Sequence, residues 1–122
     1  MKELALIIED DEDLSEIFGQ ALRAADYEIE IIRDGAVVQD RLKEVVPVVV
    51  VLDMHLPHVS GNVLLKQIRA DERLKKTRVV IATADAQMGE NLRGEADLVL
   101  IKPITFTQLR DLTFRLHSMK SN

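Results

Sequence analysis

No cysteine occurs among the 122 residues, which removes disulfides, thiolate metal sites and sulfur redox chemistry and leaves a composition at ease in a reducing compartment. Glycine is scarce at five residues, and none stands in the first strand-to-helix loop. That loop is Glu9-Asp10-Asp11, where a flavin-type phosphate cradle needs hydroxyls or glycines. No apolar stretch approaches transmembrane length, and Met1-Lys2-Glu3 leads into a strand pattern rather than into the apolar core of a secretion signal. Positive charge is not in excess either. A net charge of −5 argues against binding nucleic acid or anionic lipid through the overall field. The one short basic run, Arg73, Lys75, Lys76 and Arg78, has no aromatic residues interleaved and reads as a solvated loop. These exclusions describe a cytoplasmic chain with no direct nucleic-acid partner and no membrane partner. Its length and its 47% hydrophobic content fit one domain over residues 1–122.

What is present is a strict alternation of apolar strands and amphipathic helices. Strand patterns run from Glu3 to Ile8, Glu28 to Ile32, Val48 to Leu52, Arg78 to Ala82 and Asp97 to Ile101. Between the first two, Leu14, Ile17, Phe18, Ala21, Leu22 and Ala25 recur at helical spacing. Further helices are predicted over 36–46, 61–71 and 106–119, with a weaker one between Ala86 and Arg93. Such alternation implies an α/β fold with a parallel sheet covered on both faces, since each crossover is long and right-handed. In open parallel sheets the functional crevice lies beyond the carboxyl ends of the strands. The residues at those ends are Glu9 and Asp10, Asp53, Thr83, and Lys102-Pro103.

Asp53 is an acid delivered by a wholly apolar strand, and Glu9, Asp10 and Asp11 end another. Converging carboxylates repel one another unless they are protonated or hold a cation, and oxygen-only ligands suit a hard ion such as Mg²⁺. An acid pair, a lone aspartate, a hydroxyl and a lysine at one sheet edge make a metal-assisted phosphoryl-transfer site. In it Asp10 and Asp53 ligate Mg²⁺, Lys102 and Thr83 hold peripheral oxygens, and Asp53 attacks through its other oxygen. Simpler roles exist for each residue alone. Asp10 or Asp11 can cap the helix that begins near Leu14, Thr83 can satisfy a strand end, and Lys102 can be a solvated charge. His55 and His58, with no cysteine and no helical i, i+4 partner, read as loop histidines and not as transition-metal ligands.

Glu9 and Asp10, Asp53, Pro57 and Gly61, Thr83-Ala84 and Lys102-Pro103, taken in this order and at these spacings, resemble the receiver domain of the two-component response regulators over essentially the whole chain. The resemblance implies a flavodoxin-like, doubly wound five-stranded sheet of order 2-1-3-4-5. It also implies that Asp53 accepts a phosphoryl group from a phosphohistidine on a sensor histidine kinase or a histidine phosphotransfer protein. Mg²⁺ would be held by Asp10, Asp53, the backbone carbonyl of His55 and, through water, Glu9. Lys102 would pair with the phosphoryl oxygens, and Thr83 would move to bond the phosphoryl group, passing the signal to an unknown downstream protein. The product is a conformation, not a released metabolite, so the chain is not an enzyme beyond phosphoryl transfer to its own Asp53 and hydrolysis there. A pseudo-receiver that works without phosphorylation is the alternative, although no acid and no lysine is lost. A phosphatase of the haloacid-dehalogenase type would need a second acid two residues past Asp53, where His55 stands.

Some positions depart from the family pattern. Val99 occupies the place, three before the lysine, where many receivers carry an aromatic switch residue, and Glu95 stands where a small residue is usual. Only 18 residues separate Thr83 from Lys102, about one helical turn fewer than resembling sequences carry, and the intervening stretch holds Gly89 and Gly94. A shortened or irregular fourth helix is therefore predicted, which makes receivers that dimerise through the fourth helix, fifth strand and fifth helix a poor model here. His55 and Asp85 flank the path of attacking water in the family, and a pairing between them would make phosphoryl lifetime depend on pH. On the last helix Leu109, Leu112 and Leu116 share one face, and Phe114 points away as a candidate partner surface.

Overall fold

A computed structural model describes residues 2–118. Strands β1 (Glu3–Ile8), β2 (Tyr27–Ile32), β3 (Val49–Asp53), β4 (Arg78–Thr83) and β5 (Leu98–Ile101) alternate with helices α1 (Glu12–Ala24), α2 (Gly35–Arg41), α3 (Gly61–Ala70), α4 (Ala86–Asn91) and α5 (Phe106–Ser118). A 3-10 turn at Glu72–Leu74 joins α3 to β4. The strands form one parallel sheet in the order β2-β1-β3-β4-β5, so the predicted fold class holds.

Two apolar layers explain why the central strands β1, β3 and β4 are apolar on both faces over most of their length, whereas the edge strand β2 carries Glu28 and Glu30 on one side. Successive strand residues point to opposite sides. Ala5, Ile7, Val49, Val51, Val80, Ala82 and Leu100 pack with Phe18 and Leu22 of α1 and Leu109 and Leu116 of α5. Leu6, Ile8, Val50, Leu52, Val79 and Ile81 pack on the other side with Val38 of α2, Leu64, Leu65 and Ile68 of α3, and Leu92. This same parity sets the site. Glu9 and Asp53 follow the alternation that faces α1 and α5, whereas Thr83 follows the one that faces α2, α3 and α4. The ladder runs one residue past two strands to keep that register, with Glu9 N–H donating to the Ile32 carbonyl at 3.2 Å and Lys102 N–H to the Thr83 carbonyl at 2.8 Å.

Three local outcomes differ from the sequence reading. Asp53 and Thr83 lie inside β3 and β4 rather than after them, because parallel pairing continues through Asp53 with Ala82 and through Thr83 with Ile101. Helix α2 stops at Arg41, not Val46. Pro47 disfavours a helical Val46, and the buried Pro47 carbonyl accepts from Thr77 Oγ1 at 2.7 Å, which fixes the entry to β3 instead. Ile17, placed by its spacing on the buried stripe of α1, sits at its edge and is 39% exposed. Helix α4 is as short as predicted, six residues from Ala86 to Asn91.

Candidate functional site

The carboxyl edge of the sheet gathers three acids. Oxygens of Glu9, Asp10 and Asp53 lie within 4.8 Å of one another, with Glu9 and Asp53 buried and Asp10 exposed. Asp10 is not spent as a helix cap, because Asp11 fills that place by accepting from Leu14 N–H at 2.9 Å. Asp53 Oδ1 accepts from His55 N–H at 3.2 Å and lies 3.5 Å from Lys102 Nζ. Its Oδ2 has no protein hydrogen-bond partner among the described residues.

The loop after Asp53 is held by a close approach. A Cβ at Gly61 would stand 2.7 Å from Met54 Cα and 2.9 Å from the Asp53 carbonyl oxygen, so only glycine lets α3 begin against the end of β3. Farther along the loop, Pro57 O accepts from Gly35 N–H at 3.3 Å, and His58 Nδ1 lies 2.7 Å from Asp34 Oδ2. Asp34 itself caps α2 through Ala36 N–H at 2.8 Å. Backbone hydrogen bonding first, then His58, holds its carboxyl below the usual range. His58 thus tethers the loop to α2, in keeping with a loop histidine.

Lys102 serves the two buried acids unequally. Its Nζ lies 2.9 Å from Glu9 Oε1, nearer than to Asp53. The contact is short but poorly directed, so Oε1 remains a buried acceptor without a well-formed hydrogen bond. The pair is an ionic contact. Burial pushes the Glu9 carboxyl up to about 7; Lys102 opposes that rise and the negative Asp53 adds to it. Burial alone would depress the Lys102 ammonium, but Glu9 and Asp53 together outweigh it and hold Lys102 above its usual value. One ammonium faces three carboxylates, and one buried carboxylate oxygen lacks a proper donor. That donor set, all oxygen and short of positive charge, fits a hard divalent cation.

Thr83 is brought to the same edge but not to Asp53. Its buried Oγ1 accepts from Asp85 N–H at 3.0 Å. The predicted pairing of His55 with Asp85 is not formed among the described residues. Asp85 Oδ1 instead caps α4 by accepting from Met88 N–H at 3.0 Å, a local bond that an aspartate before a helix makes readily. Val99 is half-buried in β5 and packs towards α4. Phe114 is 58% exposed, as its helical position predicts, and its ring meets His117 of the same helix edge-on at 5.8 Å.

Two features had no sequence signal. The preference of Lys102 for Glu9 depends on side-chain geometry within one parity. A cluster around Asp97 also went unread: Arg69 of α3 donates to the Glu95 carbonyl at 2.8 Å, the Thr77 carbonyl at 3.2 Å and Asp97 Oδ2 at 3.1 Å, and Arg78 reaches Asp97 Oδ1 at 3.2 Å. Separations of 26 and 28 residues between Arg69 and its partners in the α4–β5 loop leave no local pattern to detect.

Comparison with known proteins agrees with this geometry. The family model described as response regulator receiver domain matches residues 5–114. The chain is 32% identical over 108 residues to the polar-differentiation response regulator DivK of Brucella ovis, which covers 86% of this chain and 88% of that protein. It is 31% identical over 106 residues to the phosphate regulon transcriptional regulatory protein PhoB of Rhizobium meliloti, covering 84% of this chain and 47% of PhoB. The chain therefore spans about half the length of PhoB. Among solved structures, the signal receiver domain of a Luxo repressor protein from Vibrio parahaemolyticus matches with a TM-score of 0.85 at 26% identity, covering 98% of this chain and 94% of that one. The chemotaxis response regulator CheY4 of Vibrio cholerae matches with a TM-score of 0.85 at 20% identity, covering 95% and 99%, a likeness of fold.

Proposed function

Because this chain belongs to the response regulator receiver family, a family of two-component signalling switches, we propose that it works by accepting a phosphoryl group on Asp53 from a phosphohistidine. The observation that carries this reading is the Asp53 carboxylate itself. It is buried beside an ammonium, and one of its oxygens is without a protein partner. In the transfer that oxygen forms a bond to phosphorus as the histidine N–P bond breaks, and the leaving imidazole takes up a proton. His55 N–H holds the other oxygen and so orients the attacking one. Lys102, 3.5 Å from the carboxylate, is placed to pair with the oxygens of the incoming group.

Glu9, Asp10 and Asp53, with the backbone carbonyl of His55, would hold Mg²⁺, which supplies charge neutralisation for a dianion arriving among carboxylates. The donor is a sensor histidine kinase or a histidine phosphotransfer protein, and the Thr83 hydroxyl turns towards the modified Asp53 to pass the state on.

Treatment with Mg²⁺ and a small phosphoryl donor such as phosphoramidate, followed by peptide mass analysis, tests the reading. Wild type should carry one phosphoryl group on Asp53, Asp53→Asn none, and protein with EDTA none. Undiminished modification of Asp53→Asn at another residue would overturn it, and a wild type left unmodified would favour a pseudo-receiver.

A further inference from the structure

The loop between β3 and α3 is tied at both ends and strained in the middle. At its start His55 N–H reaches Asp53 Oδ1 at 3.2 Å, and at its end Gly61 N–H reaches the Met54 carbonyl at 3.4 Å. Between them the chain makes a tight turn in which Val59 N–H donates to the Pro57 carbonyl at 2.8 Å. His58 stands at its centre with φ 69°. A γ-turn with positive φ is the rare and strained form, and a residue with a Cβ keeps that backbone only where its surroundings hold it there. The start of α2 does so. Gly35 N–H donates to the Pro57 carbonyl at 3.3 Å, a Cβ at Gly35 would lie 2.3 Å from the Val59 carbonyl oxygen, and His58 Nδ1 meets Asp34 Oδ2 at 2.7 Å. A carboxylate only accepts, so Nδ1 carries the proton in this bond. Asp34 is a fixed partner, since its other oxygen caps α2 through Ala36 N–H.

Three residues before His58 stands the His55 carbonyl, which accepts no protein hydrogen bond among the described residues. Only the course of the backbone sets it. We infer that His58 is a positioning residue for the cation site: by holding the strained turn against Asp34 at the head of α2, it fixes the stretch of backbone that presents the His55 carbonyl. The inference rests on the reading of Glu9, Asp10, Asp53 and that carbonyl as a Mg²⁺ site. Mg²⁺ demands near-ideal octahedral geometry at short distances, so a carbonyl free to swing is a poor ligand for it. Without the bond to Asp34, φ of His58 relaxes to negative values, the peptide planes beside it turn, and the carbonyl loses its setting. The His58 side chain is 69% exposed, and an exposed pair of this kind contributes little to folding. Its loss should therefore be felt in cation binding and scarcely in stability.

Calorimetric titration with Mg²⁺ at pH 8, where Glu9 is ionised, tests this, with the Tm of the metal-free proteins measured alongside. His58→Ala should bind Mg²⁺ about tenfold more weakly, the lower end of the loss when a residue that orients a metal ligand is removed. Its Tm should stay within about 3 °C of wild type. Charge alone predicts the opposite sign, because deleting an imidazole that can become cationic favours a cation. Asp34→Ser keeps a cap for α2 while removing the partner of His58, and should lose the same factor. The two changes together should cost about tenfold and not a hundredfold, since they break one contact. His58→Asn should bind within about threefold of wild type, because asparagine accepts positive φ and its amide can donate to Asp34. Unchanged affinity in His58→Ala, with Mg²⁺ bound by wild type and lost in Asp53→Asn, would overturn the inference and leave the site reading intact. A Tm lowered well beyond that range in both His58→Ala and Asp34→Ser would make the contact structural and overturn it too. A wild type that takes up no Mg²⁺, or an Asp53→Asn that binds it as wild type does, would sink the site reading and the inference with it.

Discussion

At the scale of single residues, Glu9 has the most to reveal. Burial raises its carboxyl from 4.5 to about 7, so the folded state binds this proton more tightly than the unfolded chain does. The contribution of Glu9 to stability is therefore complete below about pH 4.5, is lost as pH rises, and is gone above about 7. Metal-free protein should show a Tm that declines across that window, and Glu9→Gln should flatten the decline. Urea titrations at pH 5 and pH 8 would measure it, and equal slopes in the two proteins would exclude Glu9 as the cause. Phe114 makes the opposite kind of prediction. With its ring more than half exposed, Phe114→Ser should change stability by no more than about 0.5 kcal/mol and leave Asp53 modification unaffected. It should weaken a pull-down only if a partner uses α5. The sequence showed Asp10, Asp53, Thr83 and Lys102 because strand ends are visible as the places where apolar runs stop. It could not show that Lys102 leans to Glu9, a choice made by two side chains within one crowded edge.

Elements were legible to the extent that their signals are local. Asp11 before α1 and Ser60 before α3 are side-chain caps, accepting from Leu14 and Val63 N–H, and the apolar runs placed every strand to within a residue at either end. The α2 terminus was not legible, since beyond Arg41 the chain goes on in hydrogen-bonded turns, with Val45 N–H reaching the Arg41 carbonyl at 3.2 Å, and no local signal separates such turns from a continued helix. The meaning of Gly89, where a Cβ would lie 2.9 Å from both Val99 Cγ1 and Ile101 Cδ1 of β5, was not legible either. As a letter, a glycine that weakens a helix and a glycine that lets it approach a strand are the same. The α4–β5 loop is held instead by Arg69, whose guanidinium spans Glu95, Thr77 and Asp97. Arg69→Ala should lower stability by about 1–2 kcal/mol, in the range of hydrogen bonds from a charged donor that is partly screened. It should also accelerate exchange in residues 92–98 more than in α1. Lys would not replace it, because an ammonium cannot span three acceptors set in a fork.

For the molecule as a whole, stability and cation binding are coupled. A divalent ion that binds the folded protein and not the unfolded chain stabilises by about 2.7 kcal/mol at a hundredfold excess over Kd. A proton on Glu9 and a cation among the same oxygens compete. Mg²⁺ should accordingly raise Tm more at pH 8 than at pH 5, and Asp53→Asn should shrink the effect at both. An equal rise at both pH values would mean that the ion binds elsewhere. Strand parity adds a consequence of another kind. Glu9 and Asp53 project to one side of the sheet and Thr83 to the other, so on the proposed reading a message has to pass through the thickness of a single layer of backbone. On the proposed reading, the phosphoryl chemistry belongs to one side and its readout to the other. A chimera that receives residues 84–97 from a relative with a longer fourth helix should keep its donor and change its audience.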